Sequence, residues 1–370
     1  MKTNAAVLPG LNAPFELEEI EVGEPTFGEV GVKLVASGVC HTDQVVREGS
    51  YPYNFPAVLG HEGSGIVEAV GPGVTGLSEG DHVVLSFNSC GRCSPCLSGH
   101  PAYCSDFYFL NFGGARHDES TAFARADGSP VASHFFGQSS FAAHTIASAR
   151  SVVKVADDVD LALLGPLGCG IQTGAGTVLN ALDPEAGSSI AIFGAGAVGM
   201  SGLLAAKVAG STTIVAVDLH DERLATAREL GATHTVSGRA DDVVDQITEI
   251  TGGRGVEYAV DTTGVPAVVR QGVDSLAAQG RMALVAAASP GTEVSVEVGA
   301  SLVKGWGMQT VIEGDAVPQD LIPRLIDLWQ AGEFPFDRLI TTYPIDQLND
   351  AFDDSASGGS IKPVVTFDGA

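Results

Sequence analysis

The sequence predicts an α/β protein of two domains, a mostly β part followed by a doubly wound parallel sheet. Three observations predict it. To about Asp160 the chain reads as short alternating strands separated by glycine-rich turns. From about Ile171 buried-strand runs alternate with stretches of helical spacing, the pattern of βαβ units. The length of 370 residues suits about two domains.

The elements follow in order. Val30–Val35, Gly63–Gly71 and Asp81–Leu85 read as strands, the second closed by the turn Gly71-Pro72-Gly73. Spacing of this kind predicts an antiparallel, barrel-like domain. Between Asp106 and Val131 periodicity is lost, and the stretch reads as a long surface excursion. Ser189–Phe193 is a buried strand, Val198–Ala209 a helix and Thr213–Val217 the next strand. Glu222–Leu230 is a helix stopped by Gly231. Strands at Val256–Val260 and Met282–Ala286 continue the series, then a helix at Pro318–Ala331. A last strand, Ile361–Phe367, is placed to return to the first domain. The expected domains are 1–170, with a cysteine lobe at 90–104, then 171–312, with 313–370 returning to the first.

The chain carries 45 acidic and 19 basic residues, a net charge of −26. That argues against nucleic acid or an anionic membrane as the main partner. Met1–Pro14 lacks the charged start and apolar core of a signal peptide. The apolar run Ile190–Ala206 nearly has membrane-helix length, but Gly194, Gly196, Gly199 and Gly202 interrupt it. Six unevenly spaced cysteines read as metal ligands in a reducing compartment, so a cytoplasmic protein is expected.

Cys40 and His61 offer a thiolate and an imidazole, both good zinc ligands. Asp43 and Glu62 stand close by in sequence, and a metal-bound histidine usually donates its other N–H to a carboxylate. Cys169, between two glycines, is the expected third ligand. Two thiolates and one imidazole leave a fourth position open, the mark of a catalytic zinc. Taken singly, each residue reads better as a buried thiol or a loop histidine. Taken together with a second cysteine cluster, they read as a site.

That second cluster is Cys90, Cys93, Cys96 and Cys104. Four sulfurs close a tetrahedral sphere, so a zinc there is structural. Disulfides and an iron–sulfur cluster are the alternatives.

Gly194-Ala195-Gly196-Ala197-Val198-Gly199 is a G-x-G-x-x-G between a strand and a helix. Its glycines permit the tight turn, the approach of a pyrophosphate and close helix–strand packing, as in a Rossmann domain. Asp218 ends the following strand, where an acid accepts from the adenosine ribose and repels a 2′-phosphate. The bland alternative is that Asp218 caps the helix beginning near Asp221.

These pieces make the chain similar to the zinc-dependent medium-chain alcohol dehydrogenases over nearly its whole length. They are Gly38–Asp43, Gly60-His61-Glu62, Gly80-Asp81-His82-Val83, the four-cysteine lobe, Gly168-Cys169-Gly170 and the glycine fingerprint. Within that family it most resembles the aryl-alcohol (benzyl alcohol) dehydrogenases, through Ser86–Gly91, Pro101–Cys104, Glu313-Gly314-Asp315, Phe334–Asp337 and Lys362-Pro363-Val364.

The resemblance implies a GroES-like catalytic domain beside the Rossmann domain, and two zinc ions and NAD as cofactors. Cys40, His61 and Cys169 would hold the catalytic zinc, with Glu62 behind it, Asp43 orienting His61 and Thr42 passing the alcohol proton. His41 and Lys362 would meet the pyrophosphate, Arg223 the adenosine ribose, and Thr173 and Val198 the nicotinamide. Tyr51, Ser86, Phe87, Phe135 and Phe136 fall around the expected substrate channel, although aromatic residues are more often core. The implied partner is a small alcohol or aldehyde, in a homodimer or homotetramer. Allylic terpene alcohols and thiol adducts of formaldehyde are rival substrates. A zinc-free nucleotide-binding protein is a rival class, against which the retained Cys40, His61 and Cys169 speak.

Overall fold

The computed structural model describes residues 1–367. The chain forms two compact units. The first comprises Met1–Cys169, Val317–Arg324 and the chain from Leu339 onward; the second comprises Gly170–Ala316 and Leu325–Arg338. Residues 313–316 and 325–338 thus group with the second unit, so the expected return of 313–370 to the first domain begins at Val317 and is interrupted.

The first unit is built on two β-sheets, one of five strands and one of seven. In the larger, Glu29–Gly38 is central and pairs antiparallel with Gly63–Val70. It also pairs antiparallel with His144–Ser148 along its first half and Lys362–Thr366 along its second. The register sets Ser37 opposite Gly63 and Gly38 opposite Val364. Cys40, His61-Glu62 and Lys362 are therefore delivered to one end of the sheet from three strands. Burial explains why these segments extend: Val30, Val32, Leu34, Val67, Val83 and Leu85 alternate into one apolar cluster.

The second unit is a six-stranded parallel sheet. Its order is His234–Ser237, Thr213–Asp218, Ser189–Phe193, Val256–Asp261, Leu276–Leu284, Gly307–Thr310. This is the doubly wound order whose reversal point lies beside Ser189–Phe193. Phe193, Val215 and Val217 bury against Val243, Ile247, Val269 and Met282. The apolar run from Ile190 resolves into that strand and the helix Ala197–Val208. No described helix is long and apolar enough to cross a membrane.

The stretch from Asp106 to Val131 is not a featureless excursion. Phe107–Phe112 is a helix, and Phe123–Ala124 with Pro130–Val131 forms a hairpin that extends the five-stranded sheet. The stretch is anchored from outside itself. Asn111 accepts the Asn88 N–H at 2.8 Å, and Arg116 pairs with Glu29. Short elements held by distant partners carry no periodic signature.

Candidate metal and nucleotide sites

Helix His41–Arg47 begins at Cys40, and Asp43 in its first turn ties the two limbs of the first site together. One Asp43 oxygen accepts from Cys40 N at 3.1 Å. The other accepts from Gly60 N at 3.0 Å and lies 3.1 Å from His61 Nδ1. That contact makes Nδ1 the protonated nitrogen and leaves Nε2 with a free lone pair. His61 Nε2 is buried and has no hydrogen-bond partner among the described residues. The His61 ring stacks on Phe136 at 4.5 Å and meets Phe135 edge-on at 5.3 Å.

Ligand atoms of Cys40, His61, Glu62 and Cys169 all lie within 4.8 Å of one another. Two soft sulfurs and an orphaned imidazole nitrogen at that spacing fit zinc. A hydrogen bond from Cys169 holds the Cys40 thiol well below its ordinary value, against the effect of burial. Burial pushes the Glu62 carboxyl up, and Lys362 opposes it. Packing is close here: a Cβ on Gly38 would meet Glu62 Oε2 at 1.9 Å and displace that carboxylate.

Lys362, expected at the pyrophosphate, is buried in this cluster and donates to Glu62 Oε1 at 2.7 Å and Val39 O at 3.0 Å. Thr42 Oγ1 lies 3.7 Å from Cys40 Sγ, and His41 is exposed. Ser86, expected in a substrate channel, donates to Gly168 O at 2.7 Å and so braces the turn that carries Cys169. Phe87, Phe135 and Phe136 belong to the apolar core, and half-buried Tyr51 packs on Phe112 at 5.5 Å.

The four remaining cysteines form a second cluster. Cys93 Sγ lies 3.4 Å from Cys96 Sγ and 3.9 Å from Cys104 Sγ. Backbone N–H groups aim at the sulfurs: Ser105 N at Cys93 and Asp106 N at Cys104, both at 3.4 Å. The first of these leads the causes that lower the Cys93 thiol to about 6. All six cysteines are free thiols, so the disulfide alternative falls.

In the second unit the three fingerprint glycines have separate reasons. Gly194 has φ +93°, and a Cβ there would meet Thr262 Oγ1 at 2.3 Å. Gly196 faces open space, the room a pyrophosphate needs. Gly199 presses on Gly194, whose carbonyl oxygen would lie 1.8 Å from an added Cβ. Asp218 accepts from Ala195 N at 2.6 Å and His220 N at 2.8 Å, so it also holds the glycine turn. Arg223 Nε is buried without a partner among the described residues. Thr173 Oγ1 stands 3.5 Å from Glu313 Oε2, and Val198 is half-buried in the first turn of its helix.

Sequence reasoning missed Gln138 and the trio Glu29, His134 and Arg116. None belongs to a motif or a periodic pattern, and only their distant partners reveal them.

Residues 26–157 match the alcohol dehydrogenase GroES-like domain, and residues 197–331 match the zinc-binding dehydrogenase family. The geraniol dehydrogenase of Castellaniella defragrans is 45% identical over 368 residues, 99% of this chain and 98% of that protein. An alcohol dehydrogenase zinc-binding domain protein from Burkholderia ambifaria superposes with a TM-score of 0.97 at 52% identity, covering 99% of both chains. Benzyl alcohol dehydrogenase from Acinetobacter calcoaceticus superposes with a TM-score of 0.96 at 47% identity, again over 99% of both.

Proposed function

The chain belongs to the zinc-dependent medium-chain alcohol dehydrogenase family, with zinc and NAD as cofactors, and from that premise we propose that it interconverts primary benzylic alcohols and their aldehydes. The observation that carries the substrate class is the likeness to a benzyl alcohol dehydrogenase along the whole chain. Cys40, His61 and Cys169 are the residues that hold the catalytic zinc, and Cys90, Cys93, Cys96 and Cys104 hold the structural one. When bound, zinc would supply Lewis acidity and NAD a hydride acceptor.

The rest falls to the chain's own groups. Asp43 keeps the His61 proton on Nδ1 and thereby frees Nε2. Lys362 offsets charge that Glu62 and two thiolates would otherwise concentrate in a buried space. Thr42 would relay the alcohol proton, its hydroxyl accepting one proton as it releases its own toward water. Asp218 favours NAD, because a carboxylate repels a 2′-phosphate.

A second reading, an allylic terpene alcohol dehydrogenase, is favoured by the geraniol dehydrogenase relative. Benzyl alcohol and geraniol both carry a CH₂OH beside a π-system, so pocket shape alone separates them. Steady-state kinetics with NAD over benzyl alcohol, geraniol, hexanol and a hydroxymethyl-thiol adduct decide the matter. Benzyl alcohol is expected to give the highest kcat/KM, and a higher value for geraniol transfers the assignment to the second reading.

The partner in assembly is a second copy of the chain. The edge strand Gly307–Thr310 is exposed along its length, and Val298, Leu302, Val303 and Met308 stand exposed on it and on the helix Val298–Lys304. An open edge flanked by apolar side chains is suited to pair with its own copy. Light scattering is expected to report a dimer or a tetramer.

A further inference from the structure

Gln138 is fully buried, and both ends of its amide are hydrogen-bonded. Its Oε1 accepts from Gly63 N at 3.1 Å. Its Nε2 donates to His61 O at 2.9 Å and to Ser86 O at 3.0 Å. One acceptor and two donors meet one donor and two acceptors, so only one amide orientation satisfies all three. A flipped amide would set oxygen against two carbonyls.

The segment that carries Gln138 is costly to build. His134, Phe136, Gly137 and Ser139 have φ of +61°, +53°, +68° and +56°. Three of these are non-glycine residues in the left-handed region, each disfavoured by roughly 1–2 kcal/mol. The segment is fastened along the strand that leads to His61. Ser139 Oγ donates to Val58 O at 2.7 Å, Phe141 N to Leu59 O at 3.0 Å and Ser140 N to Gly60 O at 2.8 Å. Backbone strain of this kind persists where the surroundings over-determine it.

The three bonds of Gln138 have a consequence for the metal cluster. Asp43 joins the Cys40 limb to the His61 limb through its two oxygens. Gln138 joins the His61 limb to Ser86, and the Ser86 hydroxyl joins the Gly168 carbonyl next to Cys169. A buried polar chain therefore runs from His61 through Gln138 and Ser86 to Cys169.

We propose that Gln138 is the positioning residue that fixes the His61 limb of the cluster against the Cys169 limb, and so sets the metal affinity of that site. It touches no ligand atom and acts through Ser86 and the two backbones. This rests on the reading of Cys40, His61 and Cys169 as zinc ligands. Partners behind the ligands typically change metal affinity by about 10–100-fold.

The test uses the full chain with Gln138→Met, Ser86→Ala and the double variant. Zinc transfer to a chromophoric chelator measures affinity site by site, and cobalt exchange reports ligand geometry through its visible spectrum. Each single variant is expected to release the Cys40–His61–Cys169 zinc about 10-fold or more readily, with a shifted cobalt spectrum and the four-cysteine zinc unchanged. The double variant is expected to lose little more than the worse single one, because both act on one chain of contacts. If Gln138→Met does not fold, the shorter Gln138→Asn, which keeps an amide but cannot span all three partners, carries the test, since Ser86→Ala removes only the link to Gly168. Wild-type retention and an unchanged spectrum in the folded variants overturn the proposal, even where melting temperature drops. A wild-type chain that holds zinc only in the lobe sinks the ligand reading itself, and this inference with it.

Discussion

Lys362 and Glu62 are both buried, and the ammonium donates to the carboxylate at 2.7 Å. Removing one member of a buried pair strands the other's charge, at a cost of about 3–5 kcal/mol. Lys362→Met is therefore expected to lower unfolding free energy by that order. Adding Glu62→Gln is expected to recover part of the loss, since the stranded charge is then gone. Denaturant titrations of the two singles and the double measure this coupling, and strictly additive losses would refute it.

Thr42 carries the proton in the proposed reaction. A positioned acid–base group contributes ~10²–10⁴-fold in rate. Thr42→Ala is expected to lower kcat by about that range with zinc content intact, while Thr42→Ser keeps most activity. Val45, buried one turn further along the same helix, cannot extend a relay. Turnover near wild type in Thr42→Ala, with a full deuterium isotope effect on hydride transfer, removes Thr42 from the pathway.

Asp218 supports the glycine turn through Ala195 N and His220 N, and ribose recognition is the second task proposed for it. Asp218→Gly abolishes both, while Asp218→Asn keeps an acceptor and loses the charge. The preference for NAD over NADP is expected to shrink in both, by roughly 10-fold or more, the worth of a charged hydrogen bond. The NAD Kd should weaken further in the glycine variant. Equal kcat/KM for both cofactors in the wild type would contradict the assignment.

The four thiols of the lobe lie within 4.8 Å of one another, and the role proposed for them is a closed metal site that supports folding and assembly. Cys93→Ser is expected to lower Tm by about 5 °C or more, or to dissociate the oligomer, while the other zinc stays bound. Unchanged melting and assembly with lost activity would reverse the roles of the two clusters.

Glu29 accepts from Arg116 Nε at 2.7 Å, Arg116 Nη2 at 3.0 Å and Thr26 N at 2.7 Å, and pairs with His134 Nε2 at 2.9 Å. Burial pushes its carboxyl up, but the His134 and Arg116 contacts outweigh that and hold it well below its ordinary 4.5. The folded value is the depressed one. The stability is thus fully present above about 4.5 and fades as pH falls toward the folded value. Glu29→Gln is expected to cost ~3–5 kcal/mol at pH 7 and to flatten the acid limb of stability against pH. An acid limb as steep as wild type would show that Glu29 does not control it.

The sequence alone picked out the candidate ligand residues and the fold class. Cys40 with His61, the four-cysteine lobe and the glycine fingerprint are legible because their members lie close along the chain. Their spacing is itself the geometric constraint. The parallel sheet is legible because burial imposes a period on each strand and helix. Only the tertiary structure decided what Lys362, Ser86 and Gln138 do. Lys362 meets Glu62 across 300 positions of chain, and Gln138 meets His61 across 77. A lone lysine or glutamine carries no mark of a partner so far away. Ser86 could equally have lined a pocket, and its register beside Gly168 turned its hydroxyl onto a carbonyl instead. Buried polar groups must find partners, and in a folded chain the partner is chosen by proximity in space, which sequence spacing does not encode.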